Sequence, residues 1–389
     1  MSTLKVDAIR HNSATSDAIT TAADGTCTAK ITSINGGSQL SHRNKVINGA
    51  MLINQRATSY TDTGTSYTLD RFRHRTSGLN FDTTTTQDSS APDGFKKSLK
   101  VTPDSVQTPS GGHNGVFETK LEGQDVQDFA HGTSSAKQMT ISFYAKSSSQ
   151  NNNHNYSFQI IKVDVGGSNG RYVLQPFTVT SSWQKFTFTF PGDTSNAIID
   201  GNVKALRLVW NLSSGPSDLV SATNTWTVGD YWRGVTGMNN FMDNTSNEFY
   251  LTGVQLEVGD TATSFEHRTY QDEFLRCCRY YYKLEGRFTA AGRGAGSSAY
   301  LASISTPVPL RSQPTIGTGT NSESESFSVR VYKYDGISDS TNTPTVGTRG
   351  WMAGNNHITL YQTGHSVVDD RVLNVYMGGG YIDFDSELT

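Results

Sequence analysis

Between Asn44 and Tyr270 the chain is built from short runs in which apolar and polar residues alternate one by one. QMTISFYAKS sets Met139, Ile141 and Phe143 against Thr140, Ser142 and Tyr144; WQKFTFTFPG sets Phe186, Phe188 and Phe190 against Thr187 and Thr189. VKALRLVW does the same with Leu206, Leu208 and Trp210 opposite Arg207 and Val209. In EFYLTGVQLEVG the alternation of Phe249 and Leu251 is broken at Gly253 and resumes at Val254, Leu256 and Val258, the signature of a bulge. A period of two means strands with one face buried and one exposed, so the pattern predicts an antiparallel sandwich or barrel. Spacers such as SSSQNNNHN, GGSNG and SSGPSD supply its turns.

Three other stretches differ. Residues 1–43 hold short β-like pieces, LKVDAIR and TCTAKITSI, around a polar middle, with too little apolar material for a core of their own. They read as an arm that pairs with other chains or docks on a larger body. In TYQDEFLRCCRYYYKLEG, residues Phe274, Cys277, Cys278 and Tyr281 fall at helical spacing, with Thr269 or Asp272 as the cap and Gly286 as the stop. Residues 287–389 return to strand-like runs: AYLASISTPV, ESFSVRVYKYDG, NHITLYQTG and RVLNVYMGGGYIDF. The expected layout is an arm over 1–43, a sandwich over 44–270, a helical linker over 271–286 and a smaller β-domain over 287–389.

Composition agrees with this layout. Of 389 residues, 44 are Ser, 48 Thr and 37 Gly, while 18 Phe, 17 Tyr and 5 Trp provide large buriable groups. β-Branched and aromatic residues suit a pleated surface, and the aromatic content excludes a disordered chain. A net charge of −3 argues against a nucleic-acid binder. Three cysteines without a CxxC spacing argue against a zinc site or disulfide framework, and Cys277 and Cys278 read as buried thiols. The opening MSTLKVDAIRHNS lacks the charged and apolar regions of a signal peptide, and no apolar run is long enough to span a bilayer. The expectation is assembly in a reducing cytoplasm without membrane insertion.

Catalytic motifs are absent. GRGAGSS, from Gly292, lacks the Lys-Ser/Thr ending of a phosphate loop, and neither a GxSxG elbow nor HExxH occurs. His357 and His365 read as exposed loop histidines. No catalytic residue, metal or cofactor is expected, although a pair of glycosidase carboxylates leaves no local trace in a sequence. Aromatic residues offer the other chemistry. The segment SATNTWTVGDYWRGVTGMNNFMDNTSNE, from Ser221, exceeds a tight hairpin and carries Trp226, Tyr231 and Trp232 among amides and charges. Such a mixture can stack on a sugar face and bond its hydroxyls; equally, these rings can fold the loop onto the sandwich edge. Trp351 with Asn355 and Asn356 forms a second candidate of this kind. Trp183 and Trp210 read as core.

Several of these stretches resemble one family. INGAMLINQRATSY…YTLDRFRHR, from Ile47, is similar to the start of a module of bacteriophage tail-fibre and receptor-binding proteins. FYLTGVQLEVGDTATSFEHRTYQDEFLRCCRYYYK, from Phe249, resembles that module's closing strand and the aromatic helix behind it, and TPVPLRSQPT, from Thr306, the opening of a C-terminal fibre domain. ISFYAKS and WQKFTFTF look like strands of the module, which is similar to jelly-roll carbohydrate-binding modules. The resemblance implies a non-catalytic virion fibre: a homotrimer attached to other phage proteins through residues 1–43, located on the phage tail and touching host surface polysaccharide. A tail polysaccharide depolymerase and a head fibre of the same fold are the alternatives. In physical terms these motifs are structural: Gln255 and Glu257 alternate with apolar neighbours on a closing strand, Arg268 and Glu266 are expected to pair there, and Asp70 and Arg71 to tie a strand end, so none is expected to hold a ligand.

Overall fold

The computed structural model describes residues 7–9, 19–25, 27–29, 41–62, 64–78, 82–163, 170–229, 231–294, 299–320, 326–333, 336–340, 345–346, 357–363 and 372–388. It is an all-β protein with one α-helix among the described residues. The alternating runs between Asn44 and Val258 form a jelly-roll sandwich of two antiparallel sheets. One has six strands in the order Gln184–Phe190, Met139–Ser147, Phe249–Val258, Ser98–Pro103, Thr83–Asp88 and Ser59–Asp62. The other has seven: Thr223–Val228, Arg171–Thr178, Asn155–Lys162, Lys204–Ser214, Asn114–Glu122, Phe72–Ser77 and Ser66–Tyr67.

The period-two faces meet as the pattern predicts. Ile141, Phe143, Leu251 and Leu256 from the first sheet pack on Phe117, Phe158, Leu208 and Trp210 from the second. Phe143 has the rings of Phe158, Phe177, Phe186 and Trp210 at 5.4–5.6 Å, the last edge-on. Each buried large apolar side chain contributes about 1.5–3 kcal/mol, so this aromatic layer holds the sheets together. Pairing between Met139–Ser147 and Phe249–Val258 shifts register between Ser142 and Tyr144. Gly253 sits in that bulge at φ +63°, and a Cβ there would meet the rings of Phe95 and Tyr144 at 2.8 Å. Only glycine fits.

The family-like motifs close the sandwich. Gln255 donates to Glu257 (2.9 Å), whose carboxylate accepts from the Thr263 N–H and hydroxyl (2.9 and 2.8 Å). Arg268 reaches the Val46 carbonyl at 3.0 Å and lies 3.4 Å from Glu273, and Glu266 lies farther off at 3.9 Å. Asp70 pairs with Arg56 (3.3 Å), while Arg71 lies over the Tyr280 ring and pairs with Glu387.

The helix is Tyr270–Cys278, capped by Thr269, whose hydroxyl accepts from the Asp272 N–H, and it buries Cys277 and Cys278. Burial raises both thiols, Cys278 to about 12. It stops well before Gly286, because Tyr281–Glu285 is a strand paired with Tyr381–Asp385. The sequence alone shows the helical spacing of 271–286 but not this pairing, which depends on residues a hundred positions away. That strand, Tyr381–Asp385 and Thr315–Gly319 make a three-stranded sheet, and a separate seven-stranded sheet runs from Gly336–Ser340 to Thr345–Val346. Their shared core includes Val329, Leu360, Val375 and Phe384. Arg279 clamps Glu122 with two bonds of 2.8–2.9 Å, and Arg311 bonds the Asn202, Ser386 and Glu387 carbonyls, tying this part to the sandwich. In the arm, Ala8–Ile9, Ile19–Thr21 and Cys27–Ala29 pair with one another.

Candidate functional site

The long segment after Ser221 is not a free loop. Thr223–Val228 adds an edge strand to the seven-stranded sheet, pairing with Arg171–Thr178, and its alternation turns Trp226 inward. Trp226 is only 7% exposed; its indole N–H donates to the Pro191 carbonyl at 2.7 Å, and the His131 ring meets it edge-on at 5.5 Å. It packs in the core and offers no open face to a sugar. Trp351, Asn355 and Asn356 lie outside the described residues. Trp183, read as core, is half-buried instead: it packs edge-on against Tyr250 on the outside of the six-stranded sheet, with the Lys146 ammonium 5.5 Å from its ring.

Tyr231 and Trp232 stand differently. After the edge strand the chain crosses back over the outer face of the seven-stranded sheet, where Val235 joins Val116, Ile161, Tyr172, Leu174 and Val209 in a small second core. Gln159, fully buried on that face, fixes the crossing: its amide donates to the Tyr231 carbonyl (3.0 Å) and accepts from the Arg233 N–H (3.1 Å). Asn211 donates to the Arg233 carbonyl at 2.7 Å, and the Arg233 guanidinium pairs with Asp218 at 2.7 Å. The Tyr231-Trp232-Arg233 tripeptide is therefore pinned from both sides. Tyr231 points outward, 59% exposed, with the Arg233 guanidinium 5.3 Å from its ring.

Trp232 lies half-buried against the sheet, its N–H donating to Glu118 at 3.1 Å. The guanidinium groups of Arg75 and Arg207 lie 3.7 and 4.8 Å from its rings. Strand register assembles the rest. Arg73 stands opposite Glu118, and Arg207 opposite Lys120, so Phe72–Ser77, Asn114–Glu122 and Lys204–Ser214 bring Arg73, Arg75, Lys120, Lys204 and Arg207 to one face. Glu118, fully buried, lies 3.8 Å from Arg73 and 3.6 Å from Lys120. Burial pushes Lys120 down to about 7, Glu118 opposing the shift and Arg73, Lys204 and Arg207 adding to it. Burial also lowers Arg75 and Lys204, again with neighbouring arginines adding to the effect. At its margin the face meets the chain's end, where Lys120 and the Tyr67 hydroxyl both donate to the Leu388 carbonyl (2.6 and 2.7 Å). A groove of about 580 Å³ lies beyond, lined by Tyr67, Arg311, Asp383, Asp385 and Glu387, and Arg56 already engages its two last carboxylates.

The sequence pattern singles out Tyr231 and Trp232 but not the arginines and lysines beside them. Alternation places Arg207 on an outer face; nothing local tells that Arg73, Arg75 and Lys120 share it. Among the described residues no group of three or more His, Cys, Asp or Glu is arranged to hold a metal.

No protein-family model and no curated protein matches the chain. Solved structures similar to it include the family 11 carbohydrate-binding module of a cellulosomal cellulase of Clostridium thermocellum, at 14% identity over 55% of this chain and 100% of that one, TM-score 0.29. The CBM22-1 xylan-binding domain of Paenibacillus barcinonensis Xyn10C is similar at 12% identity over 57% and 100%, TM-score 0.28. The enzymatically active domain of tailspike protein 4 of bacteriophage CBA120 is similar at 12% identity over 55% of this chain and 21% of that one, TM-score 0.29.

Proposed function

We propose that this chain is a non-catalytic virion fibre protein whose sandwich binds glycan on the host surface through the outer face of the seven-stranded sheet. The observation that carries the glycan reading is the pinned Tyr231-Trp232-Arg233 tripeptide. An aromatic ring held outward by a buried amide loses little freedom when a sugar stacks on it, and the adjoining guanidinium supplies fixed donors for hydroxyl groups. One such site has little apolar area and binds weakly. Linked copies in a fibre would raise avidity by about 10²–10⁴ where their spacing allows simultaneous contact.

The fibre reading is supported by the family-like motifs, which here perform the closing of the sandwich and the capping of the helix. It is supported also by the arm, whose described strands leave Ile9 55% exposed and so gain from burial against other chains. Assembly as a trimer and attachment through residues 1–43 belong to this proposal.

The test is adsorption of the purified full-length chain to host cells and to extracted surface polysaccharide, comparing the parent with Tyr231→Ala. Weaker adsorption by a normally folded variant is the expected result; equal adsorption removes the site. Release of reducing ends from the polysaccharide would overturn the non-catalytic part, and particles that incorporate a chain lacking residues 1–43 would overturn the attachment role.

A further inference from the structure

We infer that the sugar taken at Tyr231 presents two free hydroxyls on neighbouring ring carbons, and that Asp218 together with Arg233 reads them; the inference rests on the glycan-binding reading above and names its substrate class. The argument begins with two stiff pieces of chain that meet. One is the Tyr231-Trp232-Arg233 tripeptide, held by Gln159 and Asn211. The other is a single 3₁₀ turn, Pro216–Asp218, whose proline fixes its first φ. The Gly215 N–H donates to the His113 carbonyl (2.7 Å) and the Ser217 N–H to the Gly111 carbonyl (2.9 Å), which pins the turn at both ends. Gly215 permits that approach, since a Cβ there would stand 2.5 Å from the Gly111 carbonyl oxygen.

The two pieces join where Arg233 Nη1 donates to Asp218 Oδ1 at 2.7 Å and to the Ser217 carbonyl at 3.2 Å. Behind the carboxylate, the buried Asn114 amide donates to Oδ2 at 3.3 Å. Both ions are fixed in this way without being used up. Every hydrogen bond from the guanidinium to a described residue comes from Nη1, so Nη2 and Nε keep their donors. The carboxylate accepts two bonds where its oxygens can take about four. With side-chain exposures of 25% and 16%, Arg233 and Asp218 are open to a ligand.

Such a pair suits hydroxyls better than ions. Taken together it has no net charge, and it sets a donor beside an acceptor. A hydroxyl is one donor and two acceptors, so it can answer either. Neighbouring hydroxyls that are both equatorial, or one equatorial and one axial, are gauche. Their oxygens are spaced much like the nitrogen and oxygen of this pair, so one can donate to Asp218 while the next accepts from Arg233. Two axial neighbours point in opposite directions and cannot. The Arg233 guanidinium lies 5.3 Å from the centre of the Tyr231 ring, close enough for a sugar stacked on the tyrosine to bring its edge to the pair. A similar ion pair on the opposite outer face, Lys100 with Glu248 at 2.6 Å, adjoins Tyr250, which is only 7% exposed and gives a sugar no ring to stack on.

The experiment measures binding to full-length protein by ligand-observed NMR, which reads weak affinities. The probes are cello-, manno- and laminari-oligosaccharides of similar length, and the cello-oligosaccharide after periodate oxidation and borohydride reduction. Every ring of the first two carries free neighbouring hydroxyls. Inside a laminari chain the linkage occupies the carbon between the free ones. Periodate cuts the bond between hydroxyl-bearing carbons, and the reduction leaves no charge. Parent, Asp218→Asn, Arg233→Gln, Tyr231→Ala and the opposite-face control Lys146→Gln are compared, with a urea melt of each. The expected result is that the cello- or manno-oligosaccharide binds roughly tenfold or more tightly than the laminari and oxidised probes. That preference should vanish in Asp218→Asn and Arg233→Gln and stay intact in Lys146→Gln.

Equal binding of all four probes, lost in Tyr231→Ala, would overturn the inference while leaving the glycan reading in place. Binding of none of them, by protein that still adsorbs to host polysaccharide, would do the same; failure of both assays would overturn both readings. A preference that persists in either variant of the ion pair would show that other groups select the sugar, and would sink this assignment. Should Asp218→Asn lower the urea midpoint, Arg233→Gln decides, because its backbone bonds to Gln159 and Asn211 remain.

Discussion

The two outer faces of the sandwich are made by the same alternation and end in opposite conditions. On the six-stranded sheet the outward residues satisfy one another: Thr140 and Thr189 share a hydrogen bond of 2.9 Å, and Glu257 is closed off by Gln255 and Thr263. On the seven-stranded sheet the outward residues are partly roofed by the chain returning from its edge strand, and register brings Arg73, Arg75, Lys120, Lys204 and Arg207 to that face together with Glu118 and Glu122. The difference teaches how a covering segment changes a face: the six-stranded side is closed by its own side chains, whereas the returning segment on the seven-stranded side is held through its backbone and leaves Tyr231 outward.

The largest expected effect tests which aromatic belongs to the core of that contrast. Trp226→Ala should destabilise the protein by about 3–5 kcal/mol, because it empties a buried site and strands the Pro191 carbonyl. Its glycan binding should then fall only as folding falls, which a denaturant melt run beside the binding assay will show.

The same substitution made on each face gives a direct comparison. Glu118→Gln should cost about 3–5 kcal/mol, since it removes the acid beneath the cations and leaves Arg73 and Lys120 without it. Glu257→Gln, whose partners are neutral amide, hydroxyl and N–H groups, should cost about 1–3 kcal/mol. Urea midpoints of the two variants decide the order, and a reversed order would contradict the account of the two faces.

A third effect is pH-dependent. Lys120 titrates near 7 in the native protein against an ordinary value of 10.5. Between those values the unfolded chain holds a proton that the native chain has released, so this residue's contribution makes stability rise with pH across the window. Below about 7 the native state bears the cost of a charged, buried ammonium in full. Urea midpoints measured from pH 6.5 to 9 should therefore climb less in Lys120→Met than in the parent.

Smallest in stability is Tyr231→Ala. Tyr231 is exposed and is held through its carbonyl, which alanine keeps, so the melt should move by less than about 0.5 kcal/mol while adsorption weakens.

Much of the architecture is legible without coordinates. Met139, Ile141 and Phe143 face inward as their spacing requires; Gly253 marks the bulge, and Thr269 caps the helix. Each of these is a local consequence of backbone geometry: side chains on a strand alternate, glycine admits positive φ, and a hydroxyl satisfies the free N–H groups of a first turn. Less of the site could be read. Trp226 and Trp232 lie six residues apart in one segment of similar composition, yet one is core and the other lies outside on the sheet. Local sequence says that a strand has two faces, and it cannot say which face a later segment will cover.

What the sequence determined by itself was the set of strands and the two-sidedness of each, because that periodicity is fixed by the backbone within a few residues. Only the tertiary structure decided that Arg73, Lys120 and Arg207 share a face with Trp232. Those residues come from strands far apart in the chain, and their convergence is set by hydrogen-bonded register between strands, a long-range quantity that no short window contains.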